Sequence, residues 1–137
     1  MKMEIRYDPE FETWLNTFLN DEDLFDVYAE IVALIDHLGD VGQHIVEPES
    51  CPLTTSRYLH ELRRTPPTNT TPYADKPPVL RILYVFCKTS TGQTIAIILH
   101  GGDKTASGND WYPKNIMLAE TRLASIAGTE KLTPLHN

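Results

Sequence analysis

Two apolar runs near the middle of the chain limit its fold more than anything else. Val79 to Cys87 reads VLRILYVFC and Thr94 to His100 reads TIAIILH. Both are rich in β-branched and aromatic side chains, which pack well on a pleated surface. Six polar or small residues, Lys88 to Gln93, join them, so a β-hairpin is the economical reading. A third strand is expected from Ser56 to Arg64 (SRYLHELRR), and a short one around Met3 to Tyr7. Between the third strand and the hairpin runs TPPTNTTPYADKPP, from Thr65 to Pro78. Its prolines exclude helix and interior strand, so a flexible surface loop over about 65–78 is expected.

The N-terminal segment has helical periodicity. Asp8 reads as an N-cap, with Pro9 at the first helical position and Glu10 and Glu12 near the positive end of the dipole. Phe11, Trp14, Leu15 and Phe18 then form an apolar stripe. Asn20 to Asp23 punctuates the chain, and a second helix buries Leu24, Val27, Tyr28, Ile31, Leu34, Ile35 and Leu38, with Gly39 as its expected end. A last helix is expected from Pro113 to Ala127. The order β-α-α-β-β-β-α, with no repeats, predicts one α+β domain over residues 1–137. In it a helical hairpin and a C-terminal helix pack on one face of a small antiparallel sheet.

Charge is unevenly spread. The formal net charge is −7, which argues against a general nucleic-acid binder. Residues 1–50 carry two basic and thirteen acidic side chains, whereas residues 51–137 carry ten basic and six acidic ones. The acidic half reads as a solvated helical face, as a surface that meets a basic partner, or as a guard that keeps an exposed basic site from binding RNA indiscriminately. Two cysteines make no disulfide framework, no run approaches the ~20 apolar residues of a membrane span, and MKMEIRYDPE lacks a secretory core. A reducing cytoplasm is the expected compartment. Cys87, inside an apolar run, reads as a small core residue.

Chemistry-bearing residues cluster around the strands. In HELR, alternation puts Glu61 and Arg63 on one face and His60 and Leu62 on the other. In the first hairpin strand, Arg81 shares a face with Val79, Leu83 and Val85. An arginine there is costly unless it finds an anion. It reads as a cross-strand bridge to Glu61, as an edge-strand guard, or as a phosphate clamp, a role that suits its planar charged fork. After His100, Gly101 and Gly102 allow a sharp turn into a loop that projects Lys104, followed by Trp111, Tyr112 and Lys114. Interleaved aromatics and cations suit single-stranded RNA, although Trp111 also fits a core anchor. GGDKT lacks the spacing of a phosphate-binding P-loop. The five histidines have no zinc-ligand spacing, and no serine or cysteine nucleophile motif is present. No metal or other cofactor is expected.

Taken in order, SRYLHELRR, PVLRILYVF and IAIILHGGDKTASGNDWYPKNIMLAETRL resemble the RelE/ParE superfamily, in its HigB-like, phage-type branch. The likeness spans about Glu4 to Ala127 and includes the EFETWL helix. It implies the toxin half of a type II toxin–antitoxin pair, a metal-independent endoribonuclease that cuts mRNA on the ribosome. Its implied partners are that mRNA and an antitoxin with a helix-turn-helix domain, with no membrane and no small-molecule cofactor. By position, the resemblance implies catalytic roles for Arg63, Arg81 and Lys104. Beside them, His100 is a candidate proton shuttle, and Arg64, Trp111, Tyr112 and Lys114 are candidate RNA contacts. A catalytically inactive relative that only engages an antitoxin is the alternative, and a toxin acting on a protein such as a topoisomerase is a third reading.

Overall fold

A computed structural model describes residues 2–63 and 79–137; Arg64 and the proline-rich stretch 65–78 lie outside the described residues. Strand β1 (Ile5–Tyr7) leads into helix α1 (Pro9–Asn16), and two short 3₁₀ turns lead into α2 (Phe25–Val41). Then come β2 (Ser50–Pro52), β3 (His60–Arg63), β4 (Leu80–Lys88) and β5 (Thr94–Asp103). Helix α3 (Tyr112–Glu130) and a two-residue strand β6 (Thr133–Pro134) close the chain. The sheet order is β1-β5-β4-β3-β2, with β6 paired to the end of β4. The α+β class is as expected.

The arrangement of layers differs from expectation in two ways. The sheet is mixed, because β1 runs parallel to β5, with Ile5 opposite Ala96 and Tyr7 opposite Ile98. A three-residue strand carries no signal of its direction; the hydrogen bond from Asp8 N to Ile98 O fixes it only after folding. The helices also lie on both faces rather than one. Phe11, Val27, Ile31 and Leu38 of α1 and α2 pack on Leu62, Ile82, Tyr84, Phe86 and Ile98. On the opposite face Ile116, Ala119 and Leu123 of α3 pack on Leu83, Val85, Ile95, Ile97 and Leu99. Strand β4 is apolar on both sides, so each side requires its own cover. At roughly 1.5–3 kcal/mol for each large side chain fully removed from water, neither face can be left open.

Local chemistry explains the other boundaries. Asp8 caps α1 as expected, its side chain accepting from Glu10 N at 3.0 Å. Gly39 does not end α2; the helix continues to Val41 and stops at Gly42, whose φ of 57° suits a residue without a Cβ. The strand expected from Ser56 begins only at His60, because the Ser56 hydroxyl accepts from Leu59 N and holds a turn. Short β2 and β6 were not expected from the sequence. Each contains a proline, tolerated here at the margin of the sheet. β2 also supplies Ser50, whose hydroxyl meets that of buried Tyr84 at 2.5 Å.

The hairpin contains a bulge. Leu83 pairs with His100 and Tyr84 with Ile98, leaving Leu99 as the extra residue. Beyond it β5 continues through Gly101 and Gly102 to Asp103, where a sharp turn was expected after His100. These glycines make room for two indoles. A Cβ on Gly101 would collide with the Trp14 ring, and one on Gly102 would lie 2.7 Å from that of Trp111. Gly101→Ala is therefore expected to destabilise the fold by about 1–3 kcal/mol, the cost of overpacking a filled core. A urea-denaturation midpoint equal to that of the wild type would remove the close-approach argument.

Candidate functional site

At the Arg63 end of the sheet, beside the start of α3, polar side chains replace the apolar face. Arg63 of β3 stands directly opposite Arg81 of β4. Like charges in register across a ladder repel each other. Glu61, two residues before Arg63, lies between them with its side chain only 3% exposed. Its Oε1 accepts from Arg63 Nε at 2.8 Å and its Oε2 from the Tyr112 hydroxyl at 2.8 Å. Arg81 Nε approaches Oε2 at 3.8 Å, an ion pair too long for a hydrogen bond, and a terminal nitrogen of Arg81 donates to Leu80 O at 2.9 Å. Among the described residues, the buried Nε atom of Arg81 has no hydrogen-bond partner.

Lys104 reaches the same group from the chain after β5, where Lys104 N donates to Val79 O at 2.9 Å. Its ammonium lies 4.8 Å from the centroid of the Tyr112 ring and donates to Asn109 Oδ1 at 3.3 Å. Burial, reinforced by Arg81 and Arg63, lowers the Lys104 pKa from its ordinary value, and Glu61 opposes that shift. Burial and the hydrogen bond to Glu61 raise that of Tyr112, so its hydroxyl stays protonated at neutral pH. The structure thus brings together Arg63, Arg81, Lys104 and Tyr112. Among the described residues, these three cations face one buried carboxylate, with Glu47 also acting on Arg63, and the positive charge that remains suits an anion. Beside them a groove of about 740 Å³ runs between Leu53, Thr54, Asn109, Tyr112 and Ile116.

His100 belongs to a different cluster. Its Nε2 meets Asn115 Oδ1 at 2.6 Å, and its Nδ1 lies 3.0 Å from a terminal nitrogen of Arg122. Asn115 donates through Nδ2 to Trp111 O, which leaves Oδ1 as the acceptor and makes His100 the neutral Nε2–H tautomer. Arg122 also pairs with Asp8 and Glu10, tying α3 to the start of α1. The Trp111 ring stacks on His100 with centroids 5.9 Å apart and meets Tyr112 edge-on at 5.3 Å, so the indole separates the two clusters. Both nitrogens of His100 are occupied there, and a proton-shuttling role would require this network to open. Trp111 itself is 7% exposed. It fits the core-anchor reading and sets the position of Tyr112. Lys114 is exposed on the first turn of α3.

Glu61 is the site residue that the sequence reading assigned only as a partner for Arg81. Its signal was present, since a carboxylate two residues before Arg63 shares its face. Its burial, and its contact with Tyr112 across 51 residues, depend on the tertiary fold. Asn115 and Arg122 had no readable signal. Among the described residues, no group of three or more His, Cys, Asp or Glu side chains is placed to hold a metal ion. No helix among them is long and apolar enough to cross a membrane. No family model, curated protein or solved structure matches the chain.

Two histidines generate a pH prediction. Burial lowers the pKa of His60 from 6.5 to about 4 and lowers that of His100 from the same value. The unfolded chain therefore takes up protons that the folded chain refuses. Stability is expected to fall as pH drops below 6.5, and for His60 to go on falling to about 4. Urea midpoints measured from pH 7 down to about pH 5 should decline less steeply in a His60→Gln, His100→Gln double variant. Equal slopes would assign the acid response to other groups.

Proposed function

We propose that this chain is the toxin of a type II toxin–antitoxin pair, of the RelE/HigB-like kind, working in the cytoplasm as a ribosome-dependent mRNA endonuclease. The observation that carries the reading is the facing pair Arg63 and Arg81, joined by Lys104, with one buried carboxylate among these three cations in the described residues. The facing arginines share one buried carboxylate, Glu61, so a second anion such as a phosphate would offset the repulsion that remains. The ordered blocks ELR, RILY and GGDKT…WY, which resemble that superfamily, supply the second support.

Metal-free RNA cleavage needs the 2′-oxygen deprotonated, the charge on phosphorus stabilised and the 5′-oxygen protonated. Arg63 and Arg81 would bind the phosphorane. Lys104, its pKa lowered, is suited to exchange a proton, and Tyr112 would orient the reacting oxygen. Exposed Lys114 would extend the positive surface along which RNA runs; Arg64, the other candidate RNA contact, lies outside the described residues. The implied partner protein is an antitoxin with a helix-turn-helix domain. A second reading, a catalytically inactive protein that only engages that antitoxin, draws on the protonation pattern. The Tyr112 hydroxyl is donated to Glu61 and both His100 nitrogens are engaged, which leaves Lys104 alone for acid–base work.

Primer extension on a defined mRNA in cell-free translation, with and without ribosomes, separates the two. The wild type is expected to add cuts only when ribosomes are present. Arg81→Ala should remain folded, because Glu61 keeps Arg63 and Tyr112, and should cut about 10²–10³-fold less, as when a charge-stabilising donor is lost. No cuts by a folded wild type would select the binding protein, and an unfolded Arg81→Ala would make Arg81 a structural bridge.

A further inference from the structure

The carboxylate at the centre of the cationic group has no assigned role. We propose that Glu61 is a positioning residue of this site, an inference that rests on the endonuclease reading: it orients Arg63 and Tyr112 around the scissile phosphate without touching it. The geometry supports this division of labour. One carboxylate oxygen takes Arg63 Nε at 2.8 Å and the other takes the Tyr112 hydroxyl at 2.8 Å, so a single group joins β3 to the start of α3. Arg81 Nε stands 3.8 Å from the second oxygen and joins β4 to the same point. A carboxylate whose side chain is 3% exposed cannot offer an open face to substrate. Its partner Arg63, at 35%, can.

The way Arg63 is held matters. Long arginine side chains sample many rotamers, and bonding through Nε fixes the plane of the fork while its terminal nitrogens turn to other acceptors. One of them reaches Cys51 Sγ at 3.3 Å. Stability alone gives little reason for a charged group here. A buried ion pair seldom outperforms an apolar side chain of similar size, and Leu62 and Leu83 show that such residues fit the neighbouring sites.

Glu61 also sets the charge around Lys104. Facing that ammonium are Glu61 and Arg63 from β3, Arg81 from β4 and Tyr112 from α3, while Asp103 precedes it on β5 and bonds Thr105. Of these, burial, Arg81 and Arg63 push the Lys104 pKa down, and Glu61 pushes it up. An amide in place of the carboxylate would keep the volume, offer one acceptor to two donors, and add one net positive charge to the site. Anion binding should then strengthen while the bound phosphate sits less well. A residue needed only for the fold would weaken both together.

The test compares wild type, Glu61→Gln and Glu61→Asp, with thermal unfolding as the check on folding. Inorganic phosphate is titrated by NMR, and single-turnover cleavage on ribosomes is followed against pH. Glu61→Gln is expected to bind phosphate roughly three- to tenfold more tightly, because a nearby like charge has gone. It should cleave about 100-fold more slowly, the usual consequence of misplaced reacting groups. The pH limb that belongs to Lys104 should move to lower pH. Glu61→Asp keeps the charge but is one methylene too short to span both partners, so it should be slow with an unmoved limb. Wild-type cleavage by Glu61→Gln, or phosphate binding no tighter than wild type, overturns the proposal. If Glu61→Gln fails to fold, wild-type cleavage by Glu61→Asp overturns it. If the wild type itself never cuts, the endonuclease reading fails. The phosphate titration then decides alone: tighter binding by Glu61→Gln keeps Glu61 as the orienting counter-charge of an anion site, and unchanged binding removes it.

Discussion

Strand β4 has almost no residue that can face water. From Leu80 to Cys87 every side chain except Arg81 is buried, on one face against α1 and α2 and on the other against α3. That double burial dictates the three layers, because a strand apolar on both sides must be sandwiched. It also requires neighbours on both flanks, since buried backbone groups have to be paired. β5 supplies one flank along the full length of the strand. The other flank is shared between β3 at one end and β6 at the other. The one polar interruption, Arg81, lies where α3 has only begun. The sheet's chemistry gathers there because the rest of the sheet is covered.

How that corner is assembled explains why it is rigid. Two indoles approach the backbone of β5 from opposite faces, Trp14 at Gly101 and Trp111 at Gly102. Trp111 is held in turn by His100 and by the Asn115–Arg122 network, which reaches the capping residue Asp8 of α1. The next residue, Tyr112, carries its hydroxyl to Glu61. A continuous set of packed rings and hydrogen bonds therefore runs from the first helix to the cationic group. Side chains supported in this way hold a geometry that loop residues alone would not.

Much of this was legible from local sequence, and the part that was not has a common cause. The Asp8 cap and the two faces of β4 follow from spacing rules that act within a few residues, whereas the Arg81–Glu61 approach, one of three readings open for Arg81, is made by the pairing of β3 with β4. The direction of β1 and the pairing of Thr133 and Pro134 are set by partners dozens of residues away, and the strand made by Ser50 to Pro52 by pairing with His60 to Leu62. Sequence alternation showed that Glu61 and Arg63 share a face. It could not show that α3 would cover Glu61 and leave Arg63 half open. Gly101 and Gly102 suggest a turn in the sequence because glycine often serves one. Their use here, space for two tryptophans, appears only when the helices are in place. His100 looked available in the sequence because its partners, Asn115 and Arg122, lie on a helix that periodicity alone does not orient.

The uneven charge of the chain gains a physical meaning from the layers. Asp26, Asp36 and Asp40 are exposed on α2, which packs on the face of the sheet opposite α3. The cationic group sits on the α3 side, where Arg63, Arg81 and Lys104 outnumber Glu61. A polyanion approaching the exposed carboxylates of α2 would be repelled, and one approaching the corner at Arg63, Arg81 and Lys104 would be attracted, over a range set by the Debye length of about 8 Å at physiological salt. Net charge alone therefore misleads here. A chain at −7 can still present a local anion site, because the opposing charges are segregated across a sheet about one layer thick. On the endonuclease reading proposed above, the acidic layer would restrict where RNA docks and the basic corner would meet its phosphate.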